Sequence, residues 1–339
     1  MAAEIAEQPA VLDRILTEGR TAVRAVAGSV ARHAPRFVLV AGRGSSDHAA
    51  LYAKYLVEIR LGLPAGLVSP STTTLYGARP DLRGVLVLAV SQSGGSPDLV
   101  ESTRVARECG ALTVAVTNDA ASPLARASAL HLALLAGPER AVPATKSYTA
   151  QLLTLWLLVD GWRGGDGADA GALPALAAAA LARTAEVAAV ADRYRFAERL
   201  VVTGRGYAHA TAREAALKVM ETSFLSTHAW SGADLLHGPL AMVDERTPCL
   251  VVAPEGAGGA ALGPVLARLR ERGADLTVVG ARAAVESAGG GVVLPGPVPE
   301  SLSPVLEVLP LQLLAHRLAL ARGHDPDTPR ALGKVTRTR

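Results

Sequence analysis

The sequence predicts an α/β protein in which one strand–helix scheme is used twice, each copy built around a parallel sheet. Three observations carry this. Apolar strand-like runs alternate with helix-like segments along the chain, the pattern of parallel sheets covered by helices. The stretch VLVAGRGSSDHAA, from Val38, is echoed by LVVTGRGYAHATA, from Leu200, so that Gly42 aligns with Gly204. Each copy is an apolar run, then Gly-Arg-Gly, then a helical pattern. Half of the 339 residues are apolar, only 19% are charged, and aromatics are few, so Ala, Val, Leu and Gly fill the core. That composition suits sheets buried on both faces by close-packed helices.

The elements follow in order. Residues up to about Arg32 read as an N-terminal helix with Pro9 near its start. Strand 36–41, helix 47–61, strand 84–90 and helix 97–109 come next, followed by strands 111–117 and 131–136 and an apolar helix 147–162. The stretch from Gly161 to Pro174 is rich in Gly, Ala and Asp and reads as a linker. The second half repeats the scheme with strands 200–203, 249–253, 276–279 and 292–294 and helices 212–224, 263–272 and 303–322. The expected organisation is a first domain over 1–165, a linker over 166–180 and a second domain over 181–339.

Composition also excludes classes. The net charge is +3, with much of the excess in the tail at Arg330, Lys334, Arg337 and Arg339, and no basic stripe interleaves with aromatics. Nucleic acid is therefore not an expected partner. Cys109 and Cys249 flank apolar runs and read as buried thiols of a reducing compartment. The start, MAAEIAEQP, is acidic and polar rather than a secretory leader. The apolar stretches from Leu152 and Ala175 fall short of a membrane span, so a cytoplasmic protein without a membrane partner is expected. No HExxH or Cys-rich spacing occurs, and neither metal nor other cofactor is expected.

Loops that follow strands are expected at the carboxyl rim of a parallel sheet, where ligands sit. SQSGGS (Ser91 to Ser96) lies between a strand and a helix. Backbone N–H groups and the hydroxyls of Ser91, Ser93 and Ser96 would make an anion cradle there. The alternative is an ordinary turn with an N-cap serine. GRGSS (Gly42 to Ser46) is a second such turn, and it lacks the third glycine of a dinucleotide fingerprint. Lys146 in ATKS follows Thr145 where a phosphate-loop motif has glycine, so nucleotide binding is not expected.

The ionisable residues cluster in the second copy. Lys218 and Glu221 are three apart and share one helix face. Spacing alone makes them a surface ion pair. Their apolar flanks (Ala215, Leu217, Val219, Met220, Phe224) instead favour a partly buried carboxylate, with the raised pKa of a general base. His237 in LLHGPL is either a structural histidine or a catalytic one. Lys334, after a glycine in the basic tail, is either solvated or an amine folded over the site. Copies carrying different chemistry suggest one shared site, one copy holding an anion and the other reacting.

At these residues the chain resembles the isomerase half of the glutamine–fructose-6-phosphate aminotransferases and, with it, the sugar isomerase (SIS) family. EIAEQP, GRGSS, SQSGGS, ATKSYTAQL, EAALKVMETS, LLHGPLA, PLQLLAHRLALARGHDPDTPR and the closing GK carry the likeness in order. The resemblance implies two tandem three-layer αβα sandwiches with flavodoxin-like sheets. It implies phosphate and substrate binding by Gly44, Ser45, Ser46, Ser91, Gln92, Ser93, Ser96, Val142, Ala144 and Thr145. Glu221 is implied to move a proton between sugar carbons 1 and 2, with Lys218 close by. His237 is implied to open the sugar ring from the neighbouring subunit of a homodimer, and Lys334 to form an imine with a keto sugar.

Three departures bear on the reaction. The family's glutaminase half is missing and Ala2 stands where its nucleophilic cysteine would be, which points to a deaminase of glucosamine 6-phosphate. Gly95 replaces the acidic residue after the SQSG core, and Ala144 replaces a serine that touches sugar hydroxyls. The tail ends Arg-Thr-Arg in place of a hydrophobic-acidic finish. The leading expectation is an isomerase-deaminase that enolises an amino sugar 6-phosphate. The alternatives are a dehydratase that eliminates the 3-hydroxyl of N-acetylglucosamine 6-phosphate and a non-catalytic phosphosugar sensor.

Overall fold

The computed structural model describes residues 1–334, so Arg337 and Arg339 lie outside the described residues. The chain packs as two compact units. The first comprises Ala10–Glu139, Lys146–Gly171 and, at the end of the described chain, Gly333 and Lys334; the second comprises Met1–Pro9, Arg140–Thr145 and Ala172–Leu332.

The first unit holds a parallel sheet of β1 (Phe37–Ala41), β2 (Ala65–Leu67), β3 (Val85–Val90), β4 (Leu112–Thr117) and β5 (Leu130–Ala133), in the order β2-β1-β3-β4-β5. Sequences such as VLVLAV in β3 are β-branched and apolar at nearly every position because helices cover both faces. Leu39, Val85 and Val87 pack with Ala106 of the Pro97–Glu108 helix. The Lys146–Trp162 helix is buried from Lys146 to Asp160 and packs against the Ser45–Leu61 and Arg20–His33 helices.

The second unit repeats the order. β6 (Arg199–Gly204), β7 (Ser226–Ser231), β8 (Pro248–Ala253), β9 (Asp275–Gly280) and β10 (Gly291–Val293) run β7-β6-β8-β9-β10, all parallel. Leu200, Val202, Leu250 and Val279 pack toward the Ala208–Ser223 and Ser303–Ala321 helices. Val201, Cys249, Val251 and Val278 face Leu266 and Leu269 on the other side. Both units are therefore three-layer αβα sandwiches of the expected class, with the flavodoxin-like strand order.

Gly-Arg-Gly is used twice for the same reasons. A Cβ on Gly42 would sit 2.3 Å from the Ser46 carbonyl oxygen, and one on Gly204 would sit 2.4 Å from that of Ala208. Gly44 and Gly206 take φ of +56° and +60°. The strand-to-helix turn thus needs glycine at both ends.

Several elements differ from expectation. β2 and β7 are edge strands, and STHAWS in β7 is too polar to read as a strand. The helix carrying Lys218 begins at Ala208 rather than Ala212, because the Gly206 turn starts it. Helix Leu173–Leu181 lies largely within the stretch expected as linker, since its alanines pack on the Ser303–Ala321 helix. Cys249 is buried, and burial pushes its thiol up to about 12, whereas Cys109 is only half-buried. Among the described residues, one straight helix stretch, Glu300–Ala321, has the length and hydropathy of a membrane span, which the reading from Leu152 and Ala175 did not consider. Most of it is buried inside the unit, as a core helix is.

Candidate active-site residues

In the first unit, the loops after β1 and β3 meet at the point where strand order reverses. The Arg43 guanidinium reaches Asp98 at 2.6 and 2.8 Å, tying the first loop to the start of the Pro97–Glu108 helix. Asp98 is buried, and it also accepts the Leu99 N–H at 2.9 Å. Ser46 is buried in the first turn of the Ser45–Leu61 helix, where its Oγ accepts from Gln151 Nε2 at 2.9 Å. Ser45 is half-buried beside it, and Gly44 supplies the turn.

The serine loop is internally braced. Ser91 Oγ accepts the Gly94 N–H at 3.1 Å, and Ser93 Oγ accepts the Gly95 N–H at 3.2 Å. The Gln92 carbonyl takes the Asn118 N–H, and the Gly94 carbonyl takes the Leu124 N–H. Each serine oxygen that accepts keeps its O–H as a donor. Ser96 occupies the N-cap position without a side-chain cap bond, so the N-cap alternative does not describe its hydroxyl. Lys334 belongs to this unit as well, its Nζ 3.5 Å from Glu139 Oε2.

The second unit holds the remaining candidates. Lys218 Nζ lies 2.5 Å from Glu221 Oε2 and 3.6 Å from Glu214 Oε1. Lys218 is 1% exposed, Glu214 is fully buried and Glu221 is 21% exposed. This is not a surface ion pair. An ammonium sunk into the core faces two carboxylates of its own helix, and one of them retains access to solvent. Glu214 was missed in the sequence, although EAALK places it one turn before Lys218.

His237 ends the short Gly232–Leu236 helix and is exposed, so it is not a satisfied core histidine. The Val142 N–H donates to the Asp327 carbonyl at 3.0 Å. The carbonyl of Thr145, which is buried, accepts from Gln312 Nε2 at 3.2 Å. Ala144 lies half-buried between them. The expected domain bounds put Val142, Ala144 and Thr145 in the first domain, whereas in the structure Arg140–Thr145 packs with the second unit.

Behind the Lys218 helix, Glu307 is fully buried and accepts from Thr211 Oγ1 at 2.6 Å and Ser303 Oγ at 2.5 Å. Burial pushes its carboxyl up to about 7 against these two hydroxyls. A cavity of about 450 Å³ opens at the carboxyl ends of β8 to β10, lined by Arg183, Glu255, Arg282 and Ser303 among others. None of the residues expected to act on substrate lines it.

Comparisons with known proteins agree with this duplicated architecture. The SIS domain family matches residues 33–160 and 194–321. Glutamine–fructose-6-phosphate aminotransferase from Pseudomonas aeruginosa is 35% identical over 98% of this chain, which covers 58% of that protein. The Pyrococcus horikoshii enzyme of the same name is 32% identical over 88% of this chain and 51% of its own length. The chain thus spans little more than half the length of the curated relatives it matches. Among solved structures, one from Silicibacter pomeroyi with a provisional phosphosugar isomerase assignment is 38% identical, with a TM-score of 0.86 over 96% of this chain and 98% of that one. The C-terminal domain of glucosamine–fructose-6-phosphate aminotransferase from Francisella tularensis gives a TM-score of 0.89 at 26% identity, covering 97% and 98% of the two chains. Glucosamine-6-phosphate deaminase from Thermotoga maritima, at 24% identity, a TM-score of 0.71 and coverage of 97% and 100%, shares the fold. With the family matched once over each of its twin sandwiches, the chain belongs to the SIS-domain family and is a homologue of the isomerase domain of those aminotransferases.

Proposed function

We propose that this chain is a cytoplasmic phosphosugar enzyme that enolises an amino sugar 6-phosphate at carbons 1 and 2, acting as an isomerase-deaminase on glucosamine 6-phosphate. The observation that carries the reading is the Lys218–Glu221 pair. Its lysine is inaccessible, and its carboxylate is part buried but reachable. A carboxylate in that setting suits a proton transfer better than a surface carboxylate does. The names of the similar proteins, aminotransferase and phosphosugar isomerase, support the substrate class.

In this reading, Ser46, Ser91, Gln92, Ser93 and Ser96 hold the phosphate, with Gly44 and Ser45 in the adjoining turn. Anchoring the remote phosphate supplies binding energy that positions the reacting carbons. His237, contributed by the partner subunit of a homodimer, opens the ring, which exposes the carbonyl that acidifies carbon 2. Glu221 takes the proton from carbon 2 and returns it to carbon 1. The resulting imine at carbon 2 takes up water and releases ammonia, leaving fructose 6-phosphate. Lys334 is the amine that engages the keto sugar, and Val142, Ala144 and Thr145 contact the sugar.

A second reading rests on Ala144. With a methyl group where the family has a hydroxyl, the enolised intermediate of an N-acetylated substrate loses its 3-hydroxyl as water instead. Incubation with glucosamine 6-phosphate and with its N-acetyl form separates the two. Ammonia with fructose 6-phosphate supports deamination, and water loss with an unsaturated product supports elimination. Binding without turnover of either compound, unchanged in Glu221→Gln, would leave only a phosphosugar sensor.

A further inference from the structure

Glu139 holds the one described residue of the tail to which chemistry is assigned. Its side chain is fully buried, and its Oε2 lies 3.5 Å from Lys334 Nζ. Oε1 accepts the Ser147 N–H at 3.1 Å, and the Ser147 hydroxyl bonds to Oε2. The carboxylate therefore sits at the start of the Lys146–Trp162 helix, where the helix end favours a negative charge. Lys334 is 27% exposed and packs with the first unit, while the chain up to Leu332 packs with the second. A buried carboxylate requires hydrogen bonds and a cation. Ser147 supplies the bonds, and one ammonium comes from nearly two hundred residues downstream in the chain.

We infer that Glu139 is a positioning residue for the Lys334 amine: it draws the tail onto the unit that carries the serine loops and holds the amine there until an open-chain ketose phosphate arrives. The inference rests on the reading of Lys334 as the imine-forming amine. On engagement, the ammonium gives one proton to solvent. The freed lone pair of Nζ forms the bond to carbon 2, and the carbonyl oxygen leaves as water with the two remaining amine hydrogens. The pair with Glu139 is broken in that step, so the carboxylate fixes where the amine stands until the substrate displaces it.

The test uses the full chain as wild type, Glu139→Gln and Ser147→Ala, with two readouts by peptide mass spectrometry. The first is the rate of acetylation of Lys334 by acetic anhydride, referenced to Lys54 in the same sample. The second is the yield of the Lys334 adduct with fructose 6-phosphate under cyanoborohydride. Glu139→Gln is expected to raise the relative acetylation rate at least threefold and to lower the trapped yield at least fivefold. Ser147→Ala, which leaves the ion pair in place, is expected to change neither by more than twofold. Equal acetylation and trapping in Glu139→Gln and wild type would overturn the inference. If wild type traps nothing at Lys334 while Glu139→Gln still speeds acetylation, the positioning stands and the imine reading falls. Should Glu139→Gln not fold, Glu139→Asp takes its place: pulling the carboxylate back by one methylene is expected to raise acetylation at least twofold, and an unchanged rate counts against the pair.

Discussion

The loop after β3 and the loop after β8 occupy the same place in two sheets of identical strand order, yet they meet the same electrostatic demand in opposite ways. Both present backbone N–H groups at the strand-order reversal, where a negative charge is favoured. The first loop surrounds its amides with the hydroxyls of Ser91, Ser93 and Ser96. In the second, Glu300 lies across the loop, its oxygens accepting the Ala257 N–H at 2.9 Å and the Gly258 N–H at 2.7 Å. A Cβ at Gly256 or Gly258 would collide with that carboxylate, so the glycines there make room for the chain's own acid. In the proposed function the first copy receives an anion from outside, whereas the second carries its anion within the chain. The proposed reacting groups, Lys218 and Glu221, sit on the helix of the self-filled copy.

The division of labour can be broken by substitution. The largest effect is expected in the reacting copy: Glu221→Gln should lower kcat by about 10²–10⁴-fold with KM nearly unchanged, because only the proton transfer is damaged. Steady-state ammonia release checks this, and a rise in KM alone would move Glu221 out of the chemistry.

The next effect is on stability. Burial holds the Glu307 carboxyl at about 7, above its ordinary value of 4.5, so the native state binds this proton more tightly than the unfolded chain does. The stability contributed is fully present below about pH 4.5 and is lost as pH rises through about 7. At roughly 1.4 kcal/mol per unit, the loss is on the order of 3 kcal/mol. Denaturation midpoints from pH 5 to 8 should fall in wild type, and this component should vanish in Glu307→Gln.

Glu300→Ala removes the internal anion and strands two backbone donors. It should cost about 1–3 kcal/mol of stability by thermal or urea unfolding. The same change should also ease ionisation of Glu307, which Glu300 opposes. Substrate affinity should not change, and a weakened KM would mean that the second loop takes part in binding after all. The smallest effect belongs to the serine loop. Ser91→Ala and Ser93→Ala should each raise KM for the sugar phosphate about five- to tenfold, the net worth of about one hydrogen bond apiece, with kcat less affected.

Much of this was legible in the residues. Strand–helix alternation and the repeated Gly-Arg-Gly are local patterns, and the turn they encode forms twice for the same steric reasons. Lys218 and Glu221 were readable as a pair because three residues bring two side chains to one helix face. The apolar flanks suggested a partly buried Glu221, but not the full burial of Lys218. Edge strand β7 was not readable, since only one of its six residues is buried and no period-two signal develops.

What the sequence determined by itself is therefore the class of fold, its duplication and the chemistry available in each copy, because these follow from periodicity, turn sterics and residue type within a few positions. Tertiary structure alone decided that Glu300 fills the loop at Ala257 and Gly258, that Lys334 pairs with Glu139, and that Arg140–Thr145 packs with the second unit rather than the first. Each of these joins segments dozens to nearly two hundred residues apart. Such contacts are selected by which buried polar group each segment can satisfy once the sheets have formed, and no local pattern records that choice.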